Sequence, residues 1–432
     1  MNVRQLQHTD RWVGIPLCWS LTLLRALTNH SSGRFSENPK KILFVKLAEQ
    51  GSTVLAYGAL RRAVEMVGRE NVYFVAFEEN RFILDALEVI PPENVVTISS
   101  GSLFGLTKSV LAALSRLRAI RSDAAVDMEF FSRGSAVLAF LSGAKRRVGF
   151  HAFFGAGPYR GDLMTHRLLY NPYLHTSEVF RLLVEALHLP PDKLPALPVI
   201  PGLKSPSSAQ DALPRFKPTE AELQKVKALI TTSTGSLPSL ILLNPNASDM
   251  LPLRRWPAQR YVDLAKRLLA SLPEPVVVFT GAPNEAVAGA ELAAQAASPR
   301  CISLAGKTSL RELLVLYSLA DVLVTNDSGP AHFAMLTPIR VVTLFGPETP
   351  ALFAARSPRN TVLYAGLPCS PCVNAYNNRQ TPCRDNLCMQ EITVEQVFQA
   401  VCSAWEEKPQ TPNIKLQENL KLQENLKLQA PN

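Results

Sequence analysis

The stretch 322–350 constrains the fold of this chain more than any other part of its sequence. It opens with an apolar run, VLV, which is typical of a buried parallel strand, and a second apolar run, RVVTLF, follows closely. Between them lies a polar turn in which Asp327 or Ser328 can cap a helix. Pro330 suits the first helical turn, where its missing N–H costs nothing. The stretch therefore predicts a strand, a polar turn, a short helix and a second strand.

The polar turn of this unit also has the features of an anion site. Gly329 lets the backbone come close to a ligand, and the amides and dipole of a helix start favour a phosphate. His332 follows within the first helical turn, near enough to reach the same ligand. The alternative is a well-capped turn without a ligand, because such turns are common.

Apolar strand patterns alternate with helical patterns on both sides of this unit, which predicts parallel sheets with helices on both faces. A stretch rich in Pro and Ser, 189–218, predicts a linker between two halves. A chain of 432 residues is long enough for two domains. The predicted fold is α/β, with two doubly wound Rossmann-like domains that face a cleft. The strand candidates are 42–45, 72–77, 95–98, 125–130, 241–243 and 276–280.

Composition and charge narrow the class of protein and of partner. The chain is 47% apolar and 19% charged, as expected of a globular protein. A net charge of +9 suggests an anionic partner such as nucleotide phosphates, a phosphorylated glycolipid or a membrane surface. No dense Lys/Arg block with interleaved aromatics occurs, which argues against nucleic acid. Seven cysteines suit no secreted disulfide scaffold and no secretion signal is evident, so we expect a cytoplasmic location.

The N-terminal segment contains an apolar run, WVGIPLCWSLTLL, between Arg11 and Arg25. This run is shorter than the roughly 18 residues that a spanning helix needs. Two Trp residues with flanking arginines suit a segment that lies in a membrane interface, whereas a helix docked on the protein is the alternative. We therefore expect peripheral association with the cytoplasmic face of the inner membrane.

Several motifs between about residues 40 and 397 together resemble glycosyltransferase family 9, whose best-known members are the lipopolysaccharide heptosyltransferases. The resemblance rests on DSGPAH followed by GPETP, on RRWP, and on KLAEQGS after the first strand. It implies the GT-B architecture and an inverting, metal-independent sugar transfer that requires no cofactor. The implied donor is a nucleotide-sugar, with ADP-heptose favoured, and the implied acceptor is a lipopolysaccharide-type glycolipid or a related glycan.

The resemblance also implies which residues bind the donor. Arg254 corresponds to the family's basic residue on the donor phosphates, and Glu285 corresponds to a carboxylate near the ribose. Asp327 and His332 are expected to orient the donor, and Asp327 counts among the catalytic residues. The full predicted donor set is Ser248, Arg254, Gly281, Glu285, Gly306, Asp327, Ser328, Gly329 and His332.

The chain departs from the family at the residue that serves as the proposed catalytic base. The first strand and its turn resemble the family's approximate pattern I-x-K-x-x-x-x-G-D, but Ser52 stands where the family has Asp. A serine hydroxyl cannot act as a general base near neutral pH unless another group takes its proton. Glu49 is the nearest carboxylate in the same turn, and we predict that it is the catalytic base.

Basic residues of the first half are candidates for contacts with the acceptor. Lys46 and Ser52 lie in the turn after the first strand, and Arg146 and Arg147 belong to a K-x-R-x-G-F element of the family. We predict that all four lie on the acceptor side. For the arginine pair, a solvated basic face is an equal alternative.

Four cysteines near the C-terminal end form a second cluster with possible chemistry. Their spacing permits a structural zinc site with four thiolate ligands. The second pair is separated by four residues instead of two and no His supports the set, so free thiols are the alternative. The cluster consists of Cys369, Cys372, Cys383 and Cys388.

These observations predict five segments and leave two other functions open. A non-catalytic nucleotide-sugar-binding or scaffold protein of envelope glycan assembly would explain the serine at position 52. A sugar-nucleotide epimerase would share the architecture but would need a different acid/base set. The predicted segments are the N-terminal segment 1–38, an acceptor-side domain 39–195, a linker and edge helix 196–238, a donor-binding domain 239–405 and a repetitive tail 406–432.

Overall fold

The protein forms two parallel β-sheets, each covered by helices, and carries an additional helical segment at its N-terminal end. The predicted linker lies partly outside the described residues, and the repetitive tail lies outside them from residue 407 onward. The computed structural model describes residues 3–28, 38–151, 158–191, 213–230, 238–248, 250–377 and 379–406.

The N-terminal helices are α1 (Val3–Trp12) and α2 (Gly14–Thr28), and they pack against the first sheet's helical layer. Asp10 accepts hydrogen bonds from the backbone N–H groups of Arg133 at 2.9 Å and Gly134 at 2.8 Å. Arg25 forms an ion pair with Asp162 at 2.9 Å. Within the described part of the chain, no helix is long and apolar enough to cross a membrane.

The first sheet has six strands in the order β3-β2-β1-β4-β5-β6, all parallel. Its central strand has the sequence ILFV and is buried at every position, as expected of a parallel strand between two helical layers. The strands are β1 (Ile42–Val45), β2 (Val72–Phe77), β3 (Val95–Ile98), β4 (Ala124–Asp127), β5 (Arg146–Phe150) and β6 (His166–Leu168). The helices of this half are α3 (Gln50–Leu55), α4 (Tyr57–Val67), α5 (Arg81–Leu87), α6 (Leu103–Ile120), α7 (Arg133–Leu141) and α8 (Thr176–Glu185).

The second sheet repeats this plan with six parallel strands in the order β12-β11-β10-β7-β8-β9. Its strands are β7 (Leu240–Asn244), β8 (Val276–Phe279), β9 (Cys301–Ser303), β10 (Val322–Asn326), β11 (Arg340–Phe345) and β12 (Asn360–Tyr364). The helices are α9 (Glu220–Ile230), α10 (Ala258–Ser271), α11 (Ala286–Gln295), α12 (Leu310–Leu319), α13 (Gly329–Phe333), α14 (Pro350–Phe353), α15 (Leu387–Gln390) and α16 (Val394–Glu406).

The structure confirms the predicted α/β fold with two doubly wound sheets, and it confirms the unit at 322–350. β10 and β11 are neighbouring parallel strands, and α13 begins at Gly329 between them. Ser328 is the residue that precedes this helix, but its hydroxyl does not cap it. The hydroxyl instead donates to the carbonyl of Asn326 at 3.1 Å.

The two halves of the chain are packed against each other. Helix α3 of the first half contacts α13 of the second. One apolar cluster of buried side chains runs through both halves and includes Phe44, Phe74 and Phe180 from the first and Tyr317 and Phe333 from the second. This shared core fixes the carboxyl ends of the central strands in each sheet relative to one another.

Candidate active site

Both sheets reverse their strand order at the central pair, β1 and β4 in the first sheet and β7 and β10 in the second. In open parallel sheets, ligands bind outside the carboxyl ends of the strands at such a switch point. Glu49 follows β1, and Asp327 follows β10. The contact between α3 and α13 brings the two switch points together, so these carboxylates belong to one cleft.

On the second sheet, Asp327 and Arg254 form the charged centre of the predicted donor site. The Asp327 side chain is almost fully buried, and its Oδ2 lies 3.6 Å from Nη1 of Arg254. Burial raises the pKa of this carboxyl, and the charge of Arg254 opposes that rise. Among the described residues, neither Asp327 Oδ2 nor Arg254 Nε has a hydrogen-bond partner. Buried polar atoms of this kind are costly unless a ligand or water satisfies them.

Two further buried side chains border the same turn. His332 is 6% exposed and its Nδ1 has no hydrogen-bond partner in the described structure. Burial lowers the pKa of His332 to about 4, with help from the positive charge of Arg254. Glu348 is 2% exposed, and burial, together with the charge of Asp327, raises its pKa. At neutral pH the imidazole of His332 is therefore neutral.

On the first sheet, Glu49 lies directly before α3 with a left-handed backbone (φ 66°). Non-glycine residues rarely adopt this conformation, and such strain is concentrated at functional sites. The Ser52 hydroxyl donates to Glu49 Oε2 at 3.1 Å and to the Glu49 carbonyl at 3.0 Å. The serine that replaces the family's Asp thus contacts the carboxylate that we predicted as its substitute.

Arg379 connects Glu49 to the second sheet's half of the cleft. Its two terminal nitrogens bind both carboxylate oxygens of Glu49, one of them at 3.3 Å. Its Nε lies 3.1 Å from Glu348 Oε1, in an ion pair without hydrogen-bond geometry. Burial lowers the pKa of the Arg379 guanidinium to about 10, which still leaves it charged at neutral pH.

Lys46 was predicted to lie on the acceptor side of the cleft, but its side chain is buried inside the first half. Its side chain is fully buried, its Nζ is 3.9 Å from Glu129 Oε1, and burial lowers its pKa. Glu129 Oε1 also accepts from the N–H groups of Leu47 at 2.6 Å and Ala48 at 2.8 Å. Glu129 therefore fixes the backbone that leads to Glu49, and Lys46 partners Glu129 instead of Glu49.

A close approach of backbone at Gly51 joins the two turns. A Cβ atom at this position would lie 2.6 Å from Cδ2 of His332 and 3.3 Å from Cα of Gly329. No real side chain tolerates the first distance without a shift of the imidazole. Glycine at position 51 is therefore required for this contact between the first half and the donor turn.

The remaining predicted donor residues follow β7, β8 and β9. Ser248 is exposed, and its hydroxyl accepts from the N–H of Met250 at 3.2 Å. Glu285 Oε2 accepts from the Ala282 N–H at 2.6 Å, so this carboxylate closes its own turn. A Cβ on Gly281 would lie 2.8 Å from Glu285 Oε2, and Gly306 has a left-handed backbone (φ 72°). These turns lie at the carboxyl ends of strands β7 to β9.

Arg146 and Arg147 are not brought into the cleft. Both lie at the amino end of β5, on the opposite edge of the sheet from the switch point, and both are buried. Arg147 donates to the carbonyls of Leu163 at 2.7 Å and Ala144 at 2.6 Å, and Arg146 donates to the carbonyl of Leu187 at 3.2 Å. Their contacts connect β5 to neighbouring loops.

The cysteine cluster shows free thiols. Among the described residues, no group of three or more His, Cys, Asp or Glu side chains is arranged to hold a metal ion. Cys388 is buried against the backbone at Gly346, and burial raises the pKa of its thiol to about 11. Cys369 is exposed. Structural zinc at these four cysteines stays a prediction.

The sequence argument missed Glu129, Glu348 and Arg379. Glu129 was hidden inside the strand predicted at 125–130, whereas the observed strand ends at Asp127 and leaves Glu129 in the turn. Glu348 stands within GPETP, where its position after an apolar strand was an available signal. Arg379 lies in the segment between the cysteines and carries no local pattern that points to the cleft.

Comparison with known proteins shows the family of the chain. Residues 110–381 match the family described as "Glycosyltransferase family 9 (heptosyltransferase)". The lipopolysaccharide heptosyltransferase 2 of Escherichia coli K12 is 29% identical over 222 residues, which cover 50% of this chain and 58% of that protein. Matches to the first curated relatives span between 29% and 58% of their lengths.

Solved structures of low sequence identity share the fold. The E. coli ADP-heptose lipopolysaccharide heptosyltransferase II structure is similar with a TM-score of 0.62 at 20% identity, over 85% of this chain and 99% of that one. E. coli heptosyltransferase WaaC with ADP-2-deoxy-2-fluoro heptose gives a TM-score of 0.56 at 17% identity, over 84% and 99%. Because the family model covers more than half of the chain, the protein belongs to glycosyltransferase family 9.

Proposed function

We propose that the protein transfers a heptosyl group from ADP-heptose to a lipopolysaccharide-type glycolipid or a related glycan, with inversion at the anomeric carbon. The observation that carries the proposal is the contact between the turn that carries Glu49 and the predicted donor turn, made by α3 with α13 and by Gly51 with His332. Membership of family 9 and the names of the curated relatives support the heptosyl donor and the lipopolysaccharide acceptor.

The charged centre at Arg254 is suited to the leaving diphosphate. Its Nε has no hydrogen-bond partner among the described residues, so it can take a phosphate oxygen without breaking an existing bond. The N–H groups of Ser328, which precedes α13, and of Gly329, its first residue, would add two more donors. Fixed donors of this kind stabilise the charge that develops on a leaving group, which is the task of a divalent metal in other transferases. Asp327 and His332 would orient the donor beside them.

Glu49 is the proposed general base. In the reaction, the acceptor oxygen attacks the anomeric carbon while its proton passes to Glu49 and the bond to the diphosphate oxygen breaks. The bonding electrons leave with the nucleoside diphosphate. Ser52 donates to the Glu49 carboxylate and helps to orient it. A positioned base typically contributes about 10²–10⁴-fold to such a step.

We also propose that the N-terminal helices attach the enzyme to the cytoplasmic face of the inner membrane. Trp19, Leu23 and Leu27 follow one another at helical spacing, and Trp12 extends the same stripe. Their side chains are between 49% and 69% exposed. Arg11 lies beside this stripe and suits anionic headgroups. The opposite side of α2 is anchored to the acceptor half through Arg25 and Asp162, so a membrane here would lie beside the acceptor cleft.

A scaffold that binds nucleotide-sugars without catalysis is the alternative from another class. A thermal-shift screen of nucleotide-sugars, followed by an assay of donor hydrolysis without acceptor, distinguishes the transferase from the scaffold. If the protein is an enzyme, ADP-heptose raises its melting temperature and the protein slowly releases ADP from it. The Glu49→Gln variant shows the same rise in melting temperature. A protein that is stabilised by the donor, yet neither hydrolyses nor transfers it, is a scaffold.

A further inference from the structure

Two arginines contact the carboxylates of the cleft, and their bonding differs. Arg254 makes one ion pair, with Asp327 at 3.6 Å, and its Nε has no hydrogen-bond partner in the described structure. Arg379 engages carboxylates through all three nitrogens, two with Glu49 and one with Glu348. Arg254 can accommodate a phosphate, whereas Arg379 would have to give up an existing pair.

The backbone that carries Arg379 is held across the cleft by other contacts. The N–H of Cys372 donates to the carbonyl of Pro347 at 3.0 Å, which ties this segment to the end of β11. The hydroxyl of Tyr376 donates to the carbonyl of Tyr170 in the first half, and the two rings meet edge to face with centroids 5.3 Å apart. The Arg379 N–H donates to the carbonyl of Asn374 at 3.0 Å.

Both partners of the cross-cleft bridge have left-handed backbones. Arg379 has φ 54° and Glu49 has φ 66°, a conformation that non-glycine residues adopt only where the surrounding contacts hold it. The Arg379 guanidinium also lies over the ring of Phe353, 5.6 Å from its centroid. An ion pair on the surface contributes little to stability. The pair of Arg379 with Glu49 is mostly buried and bidentate, so it fixes the orientation of the Glu49 carboxylate.

We infer that Arg379 is a positioning residue that holds the Glu49 carboxylate at the donor turn by bridging it to Glu348. The inference rests on the transferase function proposed above and deepens it. Glu49 belongs to one half of the chain and the donor turn to the other, so the base is in place only where the two halves meet. Arg379 supplies that link, because it reaches from the donor half to both oxygens of Glu49.

The test compares four variants with the wild-type protein and with Glu49→Gln, and kcat and donor KM are measured separately. Arg379→Gln removes the charge and displaces the base, and a small misplacement of a reacting group costs about 10²-fold in kcat. Donor KM stays near the wild-type value, because Arg254 still holds the phosphates. Arg379→Lys recovers part of the loss, since it keeps the charge but not the two-pronged contact. Arg384→Gln, an exposed position in the same segment, is the matched control and leaves kcat unchanged.

The fourth variant combines Arg379→Gln with Glu49→Gln. If Arg379 acts through Glu49, the double variant is no slower than Glu49→Gln alone, because residues that act as a unit are not additive. The positioning role is overturned if the kcat losses of the two single variants multiply in the double variant. It is also overturned if Arg379→Gln raises donor KM and leaves kcat unchanged. If Arg379→Gln does not fold, Arg379→Lys is combined with Glu49→Gln instead and tested in the same way. Absence of transfer by the wild-type protein would contradict the proposed function, which these outcomes distinguish from failure of the Arg379 inference.

Discussion

The two halves of the molecule have the same strand order but carry different chemistry at their switch points. The second sheet presents the proposed donor turn, in which Asp327, Gly329 and His332 come from one short stretch of sequence. The first sheet presents Glu49, which is kept in place by contacts from distant parts of the chain, including Glu129 and Arg379. One fold plan therefore carries both the proposed phosphate site, which is local in sequence, and the proposed base, which is assembled through tertiary contacts.

The largest expected effect comes from removing the base at the first switch point. Glu49→Gln keeps the shape of the side chain but cannot take a proton, so kcat falls by about 10²–10⁴-fold. Donor affinity, measured by calorimetry, stays close to wild type. Ser52→Ala is the matched control and costs little, because Arg379 still holds the carboxylate. Full activity in Glu49→Gln would remove Glu49 from the mechanism.

The corresponding change at the second switch point is Asp327→Asn. It leaves Arg254 beside the donor turn without its counter-ion and removes a group that orients the donor. We expect kcat/KM to fall by about 10²–10³-fold, the range found when one preorganised electrostatic contact is lost. The donor affinity of Asp327→Asn should also fall, whereas that of Glu49→Gln should stay close to wild type. Equal behaviour of the two variants in a donor-binding assay would contradict the division of labour between the halves.

The contact between the halves is tested at Gly51. Gly51→Ala places a methyl group where a Cβ would lie 2.6 Å from the His332 ring, so it forces the two turns apart. We expect about a tenfold fall in kcat, because the base and donor lose their alignment. Gly101→Ala is the control, since a Cβ there meets only the Ser99 hydroxyl at 4.0 Å. An unaltered rate in Gly51→Ala would show that the close approach is dispensable.

A pH dependence of stability tests the buried imidazole of His332 in the donor half. His332 has a pKa lowered to about 4 from an ordinary value of 6.5, so the unfolded chain binds more protons between those values. The free energy of unfolding must then fall as the pH drops from 6.5 towards 4. His332→Gln should flatten this slope in thermal unfolding measured across that range, whereas His8→Gln, at an exposed site on α1, should not. An unchanged slope in His332→Gln would argue against a buried neutral imidazole.

The smallest effect on activity is expected at the N-terminal helices. The double change Trp12→Ser and Trp19→Ser removes two exposed aromatic side chains from the proposed membrane face. Binding to anionic lipid vesicles should weaken in a sedimentation assay, while turnover on a detergent-solubilised acceptor stays unchanged. Val287→Ser is the control, because that side chain is 72% exposed on the donor half. Undiminished vesicle binding would leave the apolar stripe without a membrane role.

Much of the fold was predictable from the sequence, since fully buried parallel strands leave contiguous apolar runs such as ILFV and VLV. The donor turn was predictable for the same reason, because its residues are neighbours in the chain. The contacts of Arg379 were not, because its segment has no periodic pattern and reaches Glu49 only in the folded protein. The arginine pair 146–147 shows that a local pattern can also mislead. It formed a basic run in the sequence, but in the structure both side chains are buried and donate to backbone carbonyls.

The most direct test of the account is a transfer assay with ADP-heptose and a purified heptose-deficient lipopolysaccharide acceptor, with the product identified by mass spectrometry. The account predicts an acceptor that gains one heptosyl residue with the wild-type protein and ADP as the second product. Asp327→Asn and Glu49→Gln should both abolish most of this product, although only Glu49→Gln still binds the donor. A wild-type protein that binds ADP-heptose tightly but never modifies an acceptor would contradict the claim that the two switch points form one catalytic site.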